Sequence, residues 1–123
     1  SKLVLAIVVR RTGRHVGNVA LSEISRRDRA ARLNIFIGDR AARRKGYARE
    51  ALDLMLAHCF GPLNLHRVWL LLHEDNAPAL RLYESCGFRR EGLLREHECH
   101  DGRFTNKIVM GIIDGEQGVG SRQ

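Results

Sequence analysis

The chain has 123 residues, with 21 Lys+Arg against 14 Asp+Glu and a formal net charge of +7. Its 44% hydrophobic and 28% charged residues suit one soluble packed domain and exclude a disordered or collagen-like chain. No apolar run approaches the roughly 20 residues of a bilayer span, and Ser1-Lys2-Leu3 lacks the apolar core of a secretion signal, so a cytoplasmic protein is expected. Cys59, Cys86 and Cys99 are odd in number and form no C-x-x-C pair, so they read as buried or idle thiols, not a disulfide framework or zinc knuckle.

Leu3 to Val9 and Val16 to Leu21 are apolar runs separated by Arg11-Thr12-Gly13-Arg14, which predicts an antiparallel hairpin closed by a glycine turn. Ser25 to Arg29 reads as a loop. A third strand is expected from Ala31 to Ile37, where Leu33, Ile35 and Ile37 alternate with Arg32, Asn34 and Phe36. From Ala48 the period changes: Ala48, Ala51, Leu52, Met55, Leu56, Cys59 and Phe60 form the stripe of an amphipathic helix, which Gly61-Pro62 stops. Val68 to Leu72 suits a strand buried on both faces, completing a right-handed β-α-β crossover.

Asn76 is placed to cap a second helix, Ala77 to Cys86, with Pro78 in its first turn and Gly87 at its end. Phe88 to His100 and Arg103 to Ile113 then flank Asp101-Gly102, a two-residue hairpin signal. The order is β-β-β-α-β-α-β-β, an α+β fold with a mixed, mainly antiparallel sheet. One domain over residues 1–114 and a flexible tail over 115–123 are expected.

Positive charge alone fits nucleic acid, an acidic partner or a phosphate-rich ligand. It clusters at Arg10-Arg11, Arg26-Arg27, Arg43-Arg44-Lys45 and Arg89-Arg90, and only the third cluster adjoins a glycine. There the sequence reads Arg43-Arg44-Lys45-Gly46-Tyr47-Ala48, between a strand and the longest helix. Unpaired N–H groups and the helix dipole favour an anion at such a point, and Gly46 and Ala48 leave room for a bulky pyrophosphate.

With Asn64-Leu65-His66-Arg67-Val68, Asn76-Ala77-Pro78-Ala79, Leu82-Tyr83-Glu84-Ser85-Cys86-Gly87-Phe88 and Asp101-Gly102-Arg103, the stretch from Leu3 to about Ile113 resembles the GCN5-related N-acetyltransferases (GNAT), most closely the ribosomal-protein alanine N-acetyltransferase group. The resemblance implies a cleft between two splayed parallel strands that holds acetyl-CoA as co-substrate; separately, no His/Glu pair has the spacing of a helical zinc motif, so no metal is expected. It implies that the amides from Arg44 through Lys45, Gly46, Tyr47 and Ala48 to Arg49 hold the pyrophosphate, with Arg43, Arg44 and Lys45 adding charge. The backbone of Ile35, Phe36 and Ile37 would pair with the pantetheine arm, Asn76 would hydrogen-bond it, and Tyr83 would protonate the departing thiolate. Acetyl would pass directly to a primary amine, a protein N-terminus or a small-molecule amine, with no covalent intermediate.

Relatives often carry a glutamate where this chain has Arg32 or Leu71, so the base must come from elsewhere. His73, Glu74 and Asp75 are candidates, as are His97, Glu98 and His100. Relatives also usually carry a strand and two helices before the hairpin that here begins at Leu3, elements that help form the acceptor pocket. A homodimer through the edge of the first strand is therefore expected. Two rival expectations stand beside the transferase. One is a non-catalytic CoA-binding or interaction module; the other is a nucleic-acid-binding protein, which lacks aromatic-basic interleaving here. Membrane partners are not expected.

Overall fold

Val, Leu and Ile suit a half-buried pleated surface, and two segments rich in them, Leu3–Val9 (β1) and Arg14–Ser25 (β2), pair antiparallel with Leu3 opposite Leu21 and Val9 opposite Arg14. The computed structural model describes residues 3–9, 13–37 and 46–117, without the side chains of residues 5–9, 14, 16 and 37. Gly13 takes a left-handed φ of 71° just before β2, as a tight turn requires; Arg11 and Thr12 of the expected turn lie outside the described residues.

Ala30–Ile37 (β3) pairs antiparallel with β2, with Leu33 opposite Leu21 and Phe36 opposite Asn18. β2 continues past its expected end at Leu21. Beyond Ser22 the register shifts, Glu23 takes φ 48°, and Ser25 pairs with Ala30. A bulge of this kind breaks the two-residue alternation by which a strand is read from sequence.

Two compact units divide the chain, Ser1–Val68 and Trp69–Gln123. In the first, Tyr47–Phe60 (α1) turns Leu52, Met55, Leu56 and Cys59 inward and touches β2. These join buried Val19, Leu21, Ala31, Leu33 and Leu65. The helix ends as expected at Gly61, whose N–H donates to the Ala57 carbonyl at 3.0 Å.

Arg67–His73 (β4) begins at the end of the first unit and runs into the second. Its Val68, Leu70 and Leu72 are buried, while Arg67, Trp69, Leu71 and His73 are half-buried. The expectation of burial on both faces is corrected to one buried and one half-buried face. Ala77–Cys86 (α2) matches its expected bounds. Gly87 ends it at φ 111°, and the Gly87 and Phe88 N–H groups donate to the Glu84 and Tyr83 carbonyls.

Arg89–His100 (β5) and Arg103–Ile113 (β6) pair antiparallel, and the strands of this unit lie in the order β4-β6-β5. Asp101 and Gly102 close the hairpin at φ 52° and 77°, the double left-handed geometry that an Asp-Gly pair favours. Leu70, Leu72, Cys86, Phe88, Ile108, Met110 and Ile112 form the buried set of this unit.

Candidate functional site

In the first unit the notable feature is the start of α1. Gly46 occupies its N-cap at φ 77°, with no side-chain cap, and its carbonyl accepts the Glu50 N–H at 3.1 Å. The N–H groups of Tyr47 and Ala48, at the start of the helix, have no carbonyl within it to donate to. Among the described residues a Cβ on Gly46 would meet no atom within 4 Å, so glycine is favoured there by backbone conformation. Ala48 is half-buried.

The Arg49 guanidinium meets Asp53, one turn on, at 3.2 Å. Arg43, Arg44 and Lys45 lie outside the described residues. Ile35, Phe36 and Ile37 form the last rungs of β3, opposite Val19, Asn18 and Gly17. Phe36 is 63% exposed.

In the second unit Asn76 caps α2, its Oδ1 accepting the Ala79 N–H at 3.2 Å. That use of the oxygen leaves the Nδ2 hydrogens as the donors available to a ligand carbonyl. Tyr83, two turns on, packs edge-on against Phe88 with ring centroids 5.7 Å apart. Burial, reinforced by the neighbouring Cys86, pushes its phenol up to about 12. Such a phenol keeps its proton across the physiological range, as a donor to a departing thiolate must.

The six candidate bases separate clearly. His73 Nε2 meets Glu98 Oε1 at 3.0 Å, and the other oxygen of Glu98 meets Lys107 Nζ at 3.4 Å. The Lys107 ammonium, helped by hydrogen bonds from Lys107 and His73, holds the Glu98 carboxyl below the usual carboxylate range. Both oxygens of Glu74 accept from Asn106 Nδ2, at 3.3 and 3.2 Å. The Asp75 carbonyl accepts the Ala77 N–H. His97 is exposed, and His100 stands 3.5 Å from Asp101 at the exposed hairpin tip.

Sequence reading missed Asn106 and Lys107. Counting outward from the Asp101-Gly102 turn does place Glu98 opposite Thr105, as found. Beyond that rung, Arg95, Glu96 and His97 oppose Asn106 alone, with Glu96 at φ 48°, and the count fails. Among the described residues no three His, Cys, Asp or Glu side chains gather as metal ligands, and no helix is long and apolar enough to cross a membrane.

The family of acetyltransferase (GNAT) domains matches residues 1–89. Spermidine N(1)-acetyltransferase of Vibrio cholerae is 37% identical over 98 residues, covering 80% of this chain and 56% of that protein. An uncharacterized N-acetyltransferase, p20, of Bacillus licheniformis is 29% identical over 90% of this chain and 62% of its own length. Among solved structures, the F149A mutant of the Vibrio cholerae spermidine N-acetyltransferase SpeG aligns with TM-score 0.86 and 32% identity, covering 91% of this chain and 65% of that one. The chain thus spans about six-tenths of the length of the curated relatives it matches. None of these relatives is named for ribosomal-protein alanine, and the likeness lies at the level of the larger family. A match over residues 1–89, which takes in the glycine-capped helix start and the whole of α2, makes this chain a member of the GNAT acetyltransferase family.

Proposed function

We propose that the protein is an acetyl-CoA-dependent N-acetyltransferase that passes the acetyl group directly to a primary amine. The observation that carries this reading is the start of α1 at left-handed Gly46, an N-cap that offers no side chain, inside the family-matched stretch. The amides of Tyr47 and Ala48, which have no partner within the helix, suit a pyrophosphate, with Arg43, Arg44 and Lys45 supplying charge. Ile35, Phe36 and Ile37 offer backbone to the pantetheine arm, and Asn76 offers its Nδ2 hydrogens.

Tyr83 is the general acid. The amine lone pair forms the N–C bond as the thioester C–S bond breaks, and the sulfur leaves with its electron pair and takes the phenol proton. The proton left on the new amide nitrogen returns to the tyrosine through solvent. An ordinary thiol, near 8.5, is more acidic than this phenol, so complete transfer to sulfur is favoured only where the thiolate is also poorly solvated. Hydrogen bonding to the developing charge needs no such condition.

The acceptor is a small-molecule amine or a protein N-terminus. Relatives from Vibrio cholerae and Escherichia coli are named for spermidine, which makes a polyamine the first acceptor to try. We further propose a homodimer through β1, which pairs with β2 at one edge and exposes Val4; a monomeric mass at micromolar concentration would refute it.

The test is release of CoA from acetyl-CoA with spermidine, small amines and N-terminal peptides, alongside calorimetric binding of acetyl-CoA. Binding and turnover together are expected. Binding with no transfer to any amine would replace the transferase by a CoA-binding module, and absence of binding would remove both.

A further inference from the structure

We infer that His73 takes the proton from the acceptor amine and that Glu98 is its positioning residue. The inference rests on the transferase function proposed above. His73 is the last residue of β4, at the carboxyl end of the strand, the end beyond which ligands bind in open α/β sheets. Its carbonyl accepts the Asn76 N–H at 3.0 Å, which ties it to the cap of the helix bearing Tyr83. Its side chain is 39% exposed, open enough for an amine to reach.

The pairing decides which nitrogen is basic. Glu98 is held ionised by Lys107 and can only accept, so Nε2 carries the hydrogen of the 3.0 Å bond. That tautomer leaves the Nδ1 lone pair as the proton acceptor. The same carboxylate stabilises the imidazolium once it forms. Around His73 the charged groups are Glu98 from β5, Lys107 from β6, and Glu74 and Asp75 from the turn into α2.

Asn106 braces the arrangement from both sides. Its Oδ1 accepts the Glu96 N–H at 2.7 Å within the β5 bulge, and its Nδ2 donates to Glu74, the residue after His73. Glu74 is thereby engaged through both oxygens, which leaves His73 as the candidate base backed by an ionised carboxylate. In the step itself, one proton of the substrate ammonium moves to His73 Nδ1 and on to solvent. The freed lone pair then attacks the thioester as described.

The experiment compares wild type, His73→Ala, Glu98→Gln, Glu98→Asp and Asn106→Ala with spermidine and acetyl-CoA as substrates. His73→Ala is expected to lower kcat by ~10²–10³-fold, to bind acetyl-CoA as wild type does, and to recover activity with added imidazole. Glu98→Gln removes the carboxylate that orients the ring and faces the imidazolium, so kcat falls roughly tenfold with KM for acetyl-CoA unchanged, and Glu98→Asp recovers part of the loss. A purely structural role would move kcat and KM together. Asn106→Ala is expected to lower kcat with KM for acetyl-CoA unchanged. Near wild-type kcat for His73→Ala, or a folded His73→Ala protein whose loss imidazole does not repair, would overturn the assignment while wild-type turnover upholds the transferase. Absence of turnover by wild type itself, with acetyl-CoA still bound, would overturn the transferase and the assignment with it.

Discussion

Arg29 and Asn64 hold each other from two left-handed backbone positions, φ 53° and 54°. Arg29 Nε donates to the Asn64 carbonyl at 2.9 Å, and Nη2 donates to Asn64 Oδ1 at 3.2 Å. The Arg29 carbonyl in turn accepts the N–H groups of His66 and Arg67. One residue of the β2–β3 turn thus anchors the loop that leads from α1 into β4. Both side chains are exposed, so Arg29→Ala is expected to cost only about 1 kcal/mol, the net worth of such bonds near water. Arg29→Gly loses the same bonds but relieves the left-handed backbone, and should fall between wild type and alanine. Urea midpoints of the three proteins check the order.

Tyr83→Phe is expected to lower kcat by ~10²-fold or more with acetyl-CoA binding retained. The same residue has a stability signature. Its folded-state pKa is raised from 10.0 to about 12, so its contribution to stability is complete below pH 10 and is lost as pH rises toward 12. Alkaline unfolding curves should be less steep in that window for Tyr83→Phe. Equal slopes for the two proteins would count against the buried phenol.

Much of this part of the molecule is legible in the sequence. Asn76, Pro78 and Gly87 mark both ends of α2 because capping and left-handed termination are local chemistry, settled within a turn of chain. Asp101-Gly102 fixes its hairpin for the same reason. The end of β2 is not legible, since the Glu23 bulge breaks the alternation. Nor is the His73 and Glu98 pair, whose members stand 25 residues apart and meet through strand pairing that three unmatched residues interrupt. Gly46, Asn76 and Tyr83 stand out as a pattern of residue types, whereas Asn106 and Lys107 become visible only as neighbours.

Glu98 gives an acid-side test with the opposite sign to that of Tyr83. Lys107 lowers its pKa below the ordinary 4.5, so the stability it contributes is present above that value and is lost as pH falls below it. Glu98→Gln should be less sensitive to pH than wild type in this range. Matched denaturant midpoints at neutral and acid pH provide the measurement. Because the pair is exposed, high salt should shrink the difference.

The three thiols should react very differently. Cys59 is buried, and burial pushes it up to about 11; Cys86 is also buried, and Cys99 is exposed. Native protein treated with iodoacetamide at pH 8 is expected to be alkylated at Cys99 first, with Cys59 and Cys86 reacting only under denaturant. Peptide mass spectrometry reads the order directly, and early modification of Cys59 would contradict the packing under α1.

Gly87→Ala should be among the most damaging single changes. The residue sits at φ 111°, and a Cβ there would collide with the Glu116 carbonyl. Glu116 is held nearby, its carboxylate meeting Arg89 at 2.8 Å and accepting the Ile113 N–H at 2.8 Å. Strain and the displaced chain together are expected to cost more than about 1 kcal/mol, read as a lower thermal midpoint. In contrast, Gly92→Ala meets no atom within 4 Å and serves as the control.

The tight turn at Asp101-Gly102 also bears on how the second unit is built in time. It joins β5 to β6 through two residues, so their first rungs, His100 with Arg103 and Cys99 with Phe104, close almost no loop and give up little chain entropy. Hairpins of this kind form within about 1–10 μs. β4 must instead find β6 across the whole of α2 and β5, a longer search. The hairpin is therefore a ready-made template on which β4 docks, so the pairing of His73 with Glu98 belongs to the late stages of folding.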